Sequence, residues 1–264
     1  MTDPLIPIAV QLLGTREEGG GVRTILFSRK GFPEMAPGQG FKISVFGKGE
    51  TSGFISEVDE GTFGISLRDI DSVTNRIFLL SEGQWLGLRG PHGNGFPIEG
   101  WPEGKIGLLS MDMGLPAQRG LVSKLLEQGR EVVISHLSTE DEPIMAEALK
   151  SAGAEDSPVS VFLSKAGDRG DKEWEEFLGS TVLAPAVLKG MAGAAVSGPR
   201  EFQHGVRRVL QKTAILDQNI HVLVNRNWTT GAGWSNQDLL AGVNLWLDGP
   251  VLTLSALRDL PHGA

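Results

Sequence analysis

The sequence predicts two unlike domains in one chain, an antiparallel β barrel followed by a doubly wound parallel α/β domain, with a loop-rich C-terminal tail. Three observations predict it. Ahead of Arg89, short stretches alternate apolar and polar residues between Gly-rich turns, the pattern of half-buried strands. After Pro97, compact apolar runs alternate with helical patterns, as parallel α/β units do. Between them, Arg89-Gly90-Pro91-His92-Gly93-Asn94-Gly95-Phe96-Pro97 holds three glycines and two prolines in nine residues. Glycine admits positive φ and proline fixes φ, so this connector is stiff, turns sharply and reads as the interdomain hinge.

Taken in order, residues 6–13 and 22–28 read as strands joined by a turn over 15–21, where Glu17-Glu18-Gly19-Gly20-Gly21 supplies the turn residues. Residues 32–40 carry two prolines and two glycines and read as a loop. Phe41, Ile43 and Val45 alternate with Lys42 and Ser44, and Phe63, Ile65 and Leu67 alternate with Gly64, Ser66 and Arg68. The two stretches, 41–46 and 62–68, read as half-buried strands. Residues 53–57 predict another short strand, 72–80 a short helix and 84–89 a last strand. Six short strands at this spacing suit a barrel.

Past the hinge, 105–110, 131–137, 159–163, 192–197 and 221–224 predict buried strands. Helices are expected at 115–128, with Leu121, Val122, Leu125 and Leu126 on one face, and at 142–152; Gly129 and Gly153 stop them. A helix at 201–211 turns Phe202, Val206, Val209 and Leu210 inward. The tail 225–264 is loop-rich, with a hint of a helical turn at 255–259. Two domains of this kind place a ligand cleft at their junction and at the strand C-termini.

Composition narrows the chemistry. The 264 residues carry a net charge of −8, which argues against sequence-independent binding of nucleic acid. No apolar run is long enough to span a membrane, and Met1-Thr2-Asp3-Pro4 lacks a basic signal-peptide start; a cytoplasmic protein is expected. There are no cysteines, so disulfides, thiolate metal sites and thiol catalysis are excluded. His92, His136, His204, His221 and His262 are scattered without metal-ligand spacing, and His92 is expected to be a hydrogen-bonded loop residue. No nucleophile elbow or Walker loop is present. No catalytic residue is assigned.

Gly61-Thr62-Phe63, Val73-Thr74-Asn75 and the hinge with Gly87-Leu88 before it, together with Ser197-Gly198-Pro199, Asp248-Gly249-Pro250-Val251 and Leu260-Pro261, resemble the ferredoxin–NADP reductase superfamily. The branch resembled is the electron-transfer subunits of sulfhydrogenase, anaerobic sulfite reductase and dihydroorotate dehydrogenase. The resemblance spans nearly the whole chain in one order. It implies an FAD-type barrel over 1–98, a Rossmann-like NAD(P)-binding domain over 99–224, and a tail, 225–264, matching a four-cysteine [2Fe–2S] segment.

The residues depart from that pattern at each cofactor. The family's cysteines fall at Thr230, Ser235, Asp238 and Trp246, none able to replace a thiolate, so no cluster is expected. Trp228, Trp234 and Trp246 either pack the vacated loop or form a partner surface. At the nucleotide turn, Met111-Asp112-Met113-Gly114-Leu115-Pro116 keeps Gly114 alone of the glycine group. Asp112 either caps the following helix or repels a phosphate, and NAD(P)H turnover is not expected. Ser197 replaces a nicotinamide-side cysteine beside Gly198 and Pro199. The flavin motif reads Thr51-Ser52-Gly53-Phe54-Ile55-Ser56, without the family's arginine or tyrosine. Phe54 could stack on an isoalloxazine ring or belong to the core, and Ser56 lies beside it. The pyrophosphate turn reads Asp71-Ser72-Val73-Thr74: Thr74 and Asn75 could bond a phosphate or cap a short helix, and Asp71 would repel one.

The expectation is therefore a reductase-like subunit of a redox complex, acting through a protein partner or a residual flavin or nucleotide site, with FAD the one cofactor left open. The alternatives are a flavoprotein passing electrons from FAD to its partner, and a ligand-sensing or structural module.

Overall fold

A computed structural model describes residues 6–155, 157–167, 171–224 and 251–255. The first domain is a closed six-stranded barrel: β1 (Ile8–Gly19), β2 (Val22–Ser28), β3 (Gly40–Val45), β4 (Gly49–Val58), β5 (Thr62–Arg68) and β6 (Trp85–His92), closed in the order β1-β2-β5-β4-β3-β6. Every neighbouring pair is antiparallel. Alternation along the strands sends Phe41, Ile43, Ile55, Phe63, Ile65 and Leu88 into one core, with Phe41 and Phe63 stacked at 5.2 Å between ring centres. Helix α1 (Ser72–Phe78) adds Val73 and Ile77 to that core.

The second domain stacks helices on a six-stranded sheet: β7 (Lys105–Met111), β8 (Val132–Ser138), β9 (Val159–Lys165), β10 (Met191–Ser197), β11 (Ile220–Leu223) and β12 (Val251–Thr253), in the order β12-β11-β10-β7-β8-β9. The sheet is parallel except for β12, which runs antiparallel to β11 at the edge. Helices α2 (Gly114–Glu127) and α3 (Ala146–Ala152) belong to the core on one sheet face. Helices α4 (Asp171–Ser180), α5 (Pro185–Leu188) and α6 (Arg200–Leu210) cover the other. The strand order reverses at β7, between β10 and β8, which is where doubly wound sheets open a ligand crevice.

The differences from expectation have local causes. Strand β1 runs on to Gly19, because Arg16 and Glu17 pair with Glu57 and Arg23 within the barrel and Glu18 with Arg119 of α2 instead of making a turn; Gly20 and Gly21 turn the chain, both at positive φ. Strand β6 runs into the hinge as far as His92, which pairs with Gly40 and is buried, so His92 is a strand residue and not a loop histidine. Helix α3 starts at Ala146 because Met145 has a left-handed φ of 59°. Helix α5 and strand β12 are absent from the sequence-based expectation, and α4 lies where Glu173, Glu175 and Glu176 read as a solvated helix face without assigned bounds. Among the described residues no helix is long and apolar enough to cross a membrane.

Candidate functional site

The domains are locked together by partly buried polar contacts. Glu18 on β1 and Glu57 on β4 face Arg119 on α2: Arg119 Nη1 lies 2.9 Å from Glu57 and 3.4 Å from Glu18. Arg16 bridges the same two carboxylates, lying 2.8 Å from Glu18 and 2.7 Å from Glu57, and Thr24 Oγ1 donates to Glu18 at 2.6 Å. Glu57 raises the pKa of Arg16 by a direct hydrogen bond, with burial opposing. At the hinge, the Asn94 side chain accepts from Val251 N at 3.1 Å and donates to Val251 O at 2.9 Å, pinning β12 to the connector. Arg16, Glu18, Glu57 and Arg119 belong to no motif, and only the pairing of distant charges reveals them, whereas Asn94 and Val251 fall in stretches that carry the resemblance.

On the barrel exterior, Glu50 accepts from Ser44 Oγ at 2.9 Å and from Arg89 Nε at 3.1 Å, with a second, shorter bond from Arg89 Nη2. Lys42 lies beside them. Burial lowers its pKa to about 8, Glu50 opposes that shift and Arg89 adds to it. Phe54 faces outward from the same sheet but is 5% exposed, because it belongs to a core shared with Phe96, Trp101 and Leu121. Ser56 is fully buried and donates to Gly64 O at 3.3 Å. Gly120 of α2 comes within van der Waals reach of its carbonyl.

The turn before α1 is closed by its own side chains. Asp71 Oδ1 accepts from Val73 N at 2.9 Å and Thr74 N at 2.8 Å, and Thr74 Oγ1 accepts from Ile70 N and Asp71 N, each at 3.0 Å. This is a capping box with threonine at its third helical position. Asn75 donates to Asp69 Oδ2 at 3.3 Å. Thr74 and Asn75 thus serve the helix start, and a carboxylate already holds the amides that an anion would need. A pyrophosphate does not fit this turn as it stands, because it would displace Asp71 while carrying charge of the same sign.

At the β7–α2 turn, Asp112 is not the helix cap. It adopts a left-handed φ of 43°, and its carboxylate accepts from Thr139 N at 3.0 Å and Thr139 Oγ1 at 2.9 Å. Met113 precedes the helix without a capping bond. Gly114 closes onto the β10–α6 turn: a Cβ there would stand 2.1 Å from Ser197 O. Ser197 Oγ donates to Gly114 O at 2.8 Å. Gly198 leaves room for Phe202 and Met111, and Pro199 precedes α6. The fold therefore brings Gly114, Ser197, Gly198 and Pro199 together at the point of strand-order reversal. Thr74 and Asn75 lie on the barrel, at the end where Val73 meets Gly49.

Buried next to this junction are residues to which the sequence reading gave no role. Gln118 donates to Leu109 O at 3.2 Å and Ala195 O at 3.0 Å, strapping α2 across β7 and β10. Ser110 Oγ and His136 Nδ1 are 2.9 Å apart, and burial lowers the pKa of His136 to about 4, with Asp112 opposing. Among the described residues no group of histidine, aspartate and glutamate could hold a metal. The segment 225–250, with Thr230, Ser235, Asp238, Trp246, Trp228 and Trp234, lies outside the described residues.

No family model matches the chain. It is 28% identical over 262 residues to a probable dihydroorotate dehydrogenase B (NAD(+)), electron transfer subunit, of Methanothermobacter thermautotrophicus, covering 96% of this chain and 92% of that one. It is 26% identical over 252 residues to sulfhydrogenase 1 subunit gamma of Pyrococcus furiosus, covering 87% and 85%. Among solved structures, the NADH-dependent reduced ferredoxin-NADP oxidoreductase superposes with a TM-score of 0.69 at 17% identity, over 97% of this chain and 90% of that one. A ferredoxin NADP+ reductase from Neisseria gonorrhoeae, with bound FAD and NADP, gives 0.65 at 14% identity, over 81% and 97%. The first of these relatives is designated an electron transfer subunit, and the fold is that of the ferredoxin–NADP reductases.

Proposed function

We propose that this chain, whose relatives and fold are those of the ferredoxin–NADP reductase superfamily, is a cytoplasmic subunit of a redox complex that acts by binding a protein partner. In this reading it keeps the two-domain scaffold but has neither a [2Fe–2S] cluster nor NAD(P)H turnover. The observation that carries the reading is the turn before α1, where Asp71 occupies the amides that the resemblance assigns to the flavin pyrophosphate. Two further features support it. The chain has no cysteine to ligate a cluster, and Asp112 places a carboxylate at the nucleotide turn.

The scaffold serves this role physically. The Glu18–Glu57–Arg16–Arg119 network and the Asn94–Val251 clamp hold the two domains at a fixed angle, so a partner meets a preformed surface. A second reading, an oxidoreductase passing electrons from FAD to its partner, draws support from the relatives' designation as electron-transfer subunits and from FAD in a structural neighbour.

Purification from the native host separates the readings. A colourless chain that copurifies with a redox protein and does not oxidise NAD(P)H supports partner binding. Flavin absorbance surviving gel filtration, with NAD(P)H oxidation, overturns it in favour of the second reading. A colourless monomer that copurifies with nothing leaves a ligand-sensing or structural module.

A further inference from the structure

Helix α6 divides sharply into two faces. Phe202, Val206 and Leu210 are fully buried, while Arg200, His204 and Arg208 recur every fourth residue on the exposed side. Helix α4 approaches closely because position 205 is glycine: a Cβ there would stand 2.4 Å from Leu178 and 2.9 Å from Trp174. The two helices enclose a groove of about 350 Å³ lined by Trp174, Arg200, Glu201, His204 and Arg208. Trp174 is fixed in its wall, stacked on Phe177 at 5.7 Å and donating from its indole N–H to Glu201 O at 3.3 Å. In a chain of net charge −8, this wall sets two arginines against one carboxylate, Glu201, with His204 between the arginines.

The cations are only partly engaged. Arg208 lies 3.4 Å from Glu175, but Arg200 makes no ion pair among the described residues and its Nε donates to His204 Nε2 at 3.2 Å. Their arrangement selects the ligand. Eight residues of helix place Arg200 and Arg208 about 12 Å apart along the axis, so the charges form a row and do not converge on one point. The indole N–H is engaged and so is not offered to a small anion in the groove. Two separated arginines, with the neutral His204 between them and a fixed aromatic ring beside them, match carboxylates spaced along a chain with an apolar residue among them, and Trp and Arg are the side chains that anchor protein interfaces.

We propose that the α4–α6 groove docks a carboxylate-rich segment of a protein partner, its acidic side chains on Arg200 and Arg208 and an apolar one against Trp174. This rests on the partner-binding reading above and adds the place and the chemistry of contact.

The test is amide and indole NMR of the isotope-labelled chain at low salt, titrated with an octaglutamate peptide. Saturable shifts are expected at Trp174, Arg200, His204 and Arg208, weakening with added salt, and at least tenfold weaker affinity is expected in the double variant Arg200→Gln, Arg208→Gln. Shifts centred elsewhere, no saturable shift, or undiminished affinity in the double variant would overturn the proposal. Inorganic phosphate giving the same shifts at lower concentration than the peptide would also overturn it, in favour of a small-anion site. Mapping of the peptide to this groove in a chain that nevertheless carries FAD and oxidises NADH would leave the groove assignment standing and remove the functional reading.

Discussion

Lowering the pH should destabilise this protein through His136, and the size of the effect follows from its surroundings. The side chain is 1% exposed. Its Nδ1 is paired with Ser110, while Nε2 finds no partner among the described residues. Burial lowers its pKa from 6.5 to about 4. The folded value lies below the unfolded one, so between them the unfolded chain binds the proton preferentially. The stabilisation is fully present above about pH 6.5, is lost as pH falls and is gone below about pH 4. Each tenfold difference in proton affinity between the folded and unfolded chain is worth about 1.4 kcal/mol, so the loss between pH 7 and pH 4.5 is about 2–3 kcal/mol, a large share of an ordinary folding free energy. Urea denaturation at a series of pH values, for the native chain and His136→Gln, measures it. The variant should be weaker at neutral pH but show a flatter acid dependence. The reasoning is refuted if both chains lose stability in parallel, or if NMR titration finds His136 protonating near pH 6.5 in the folded state.

Two substitutions probe the turns. Asp71→Ala removes the carboxylate that caps α1 and should cost about 1 kcal/mol, read from the urea midpoint; an unchanged midpoint would show that the cap contributes nothing. Gly114→Ala forces a methyl group against Ser197 O and should cost at least about 2 kcal/mol by pushing two turns apart, with melting temperature as the readout; a neutral result would mean that the two turns separate freely.

The pattern of alternation made most of the barrel legible, because a strand with one buried face must repeat every second residue. The strand over 62–68 was predicted at both ends for that reason. The same rule failed at Thr15-Arg16-Glu17-Glu18, where charges read as a turn. Those charges are satisfied by residues up to a hundred positions away, Arg119 among them, and local pattern carries no trace of such partners. Helix α4 was legible only as a solvated face from Glu173, Glu175 and Glu176, because its apolar side, Trp174, Phe177 and Leu178, is too short to fix its bounds. Strand β12 is three residues long, too short for any period. Of the site, the meeting of Gly114 with Ser197 and Gly198 followed from the doubly wound pattern and the resemblance. The role of Asp112 did not, since a residue before a helix is a cap by default and only its left-handed backbone turns the carboxylate toward Thr139.

The central claim is that the turn before α1 is occupied by Asp71 and that the chain works without a bound flavin. Flavin content per chain, measured after expression with excess riboflavin and gel filtration, tests it most directly. The account predicts only traces of flavin and no uptake when FAD is added. Stoichiometric FAD retained through gel filtration would contradict it.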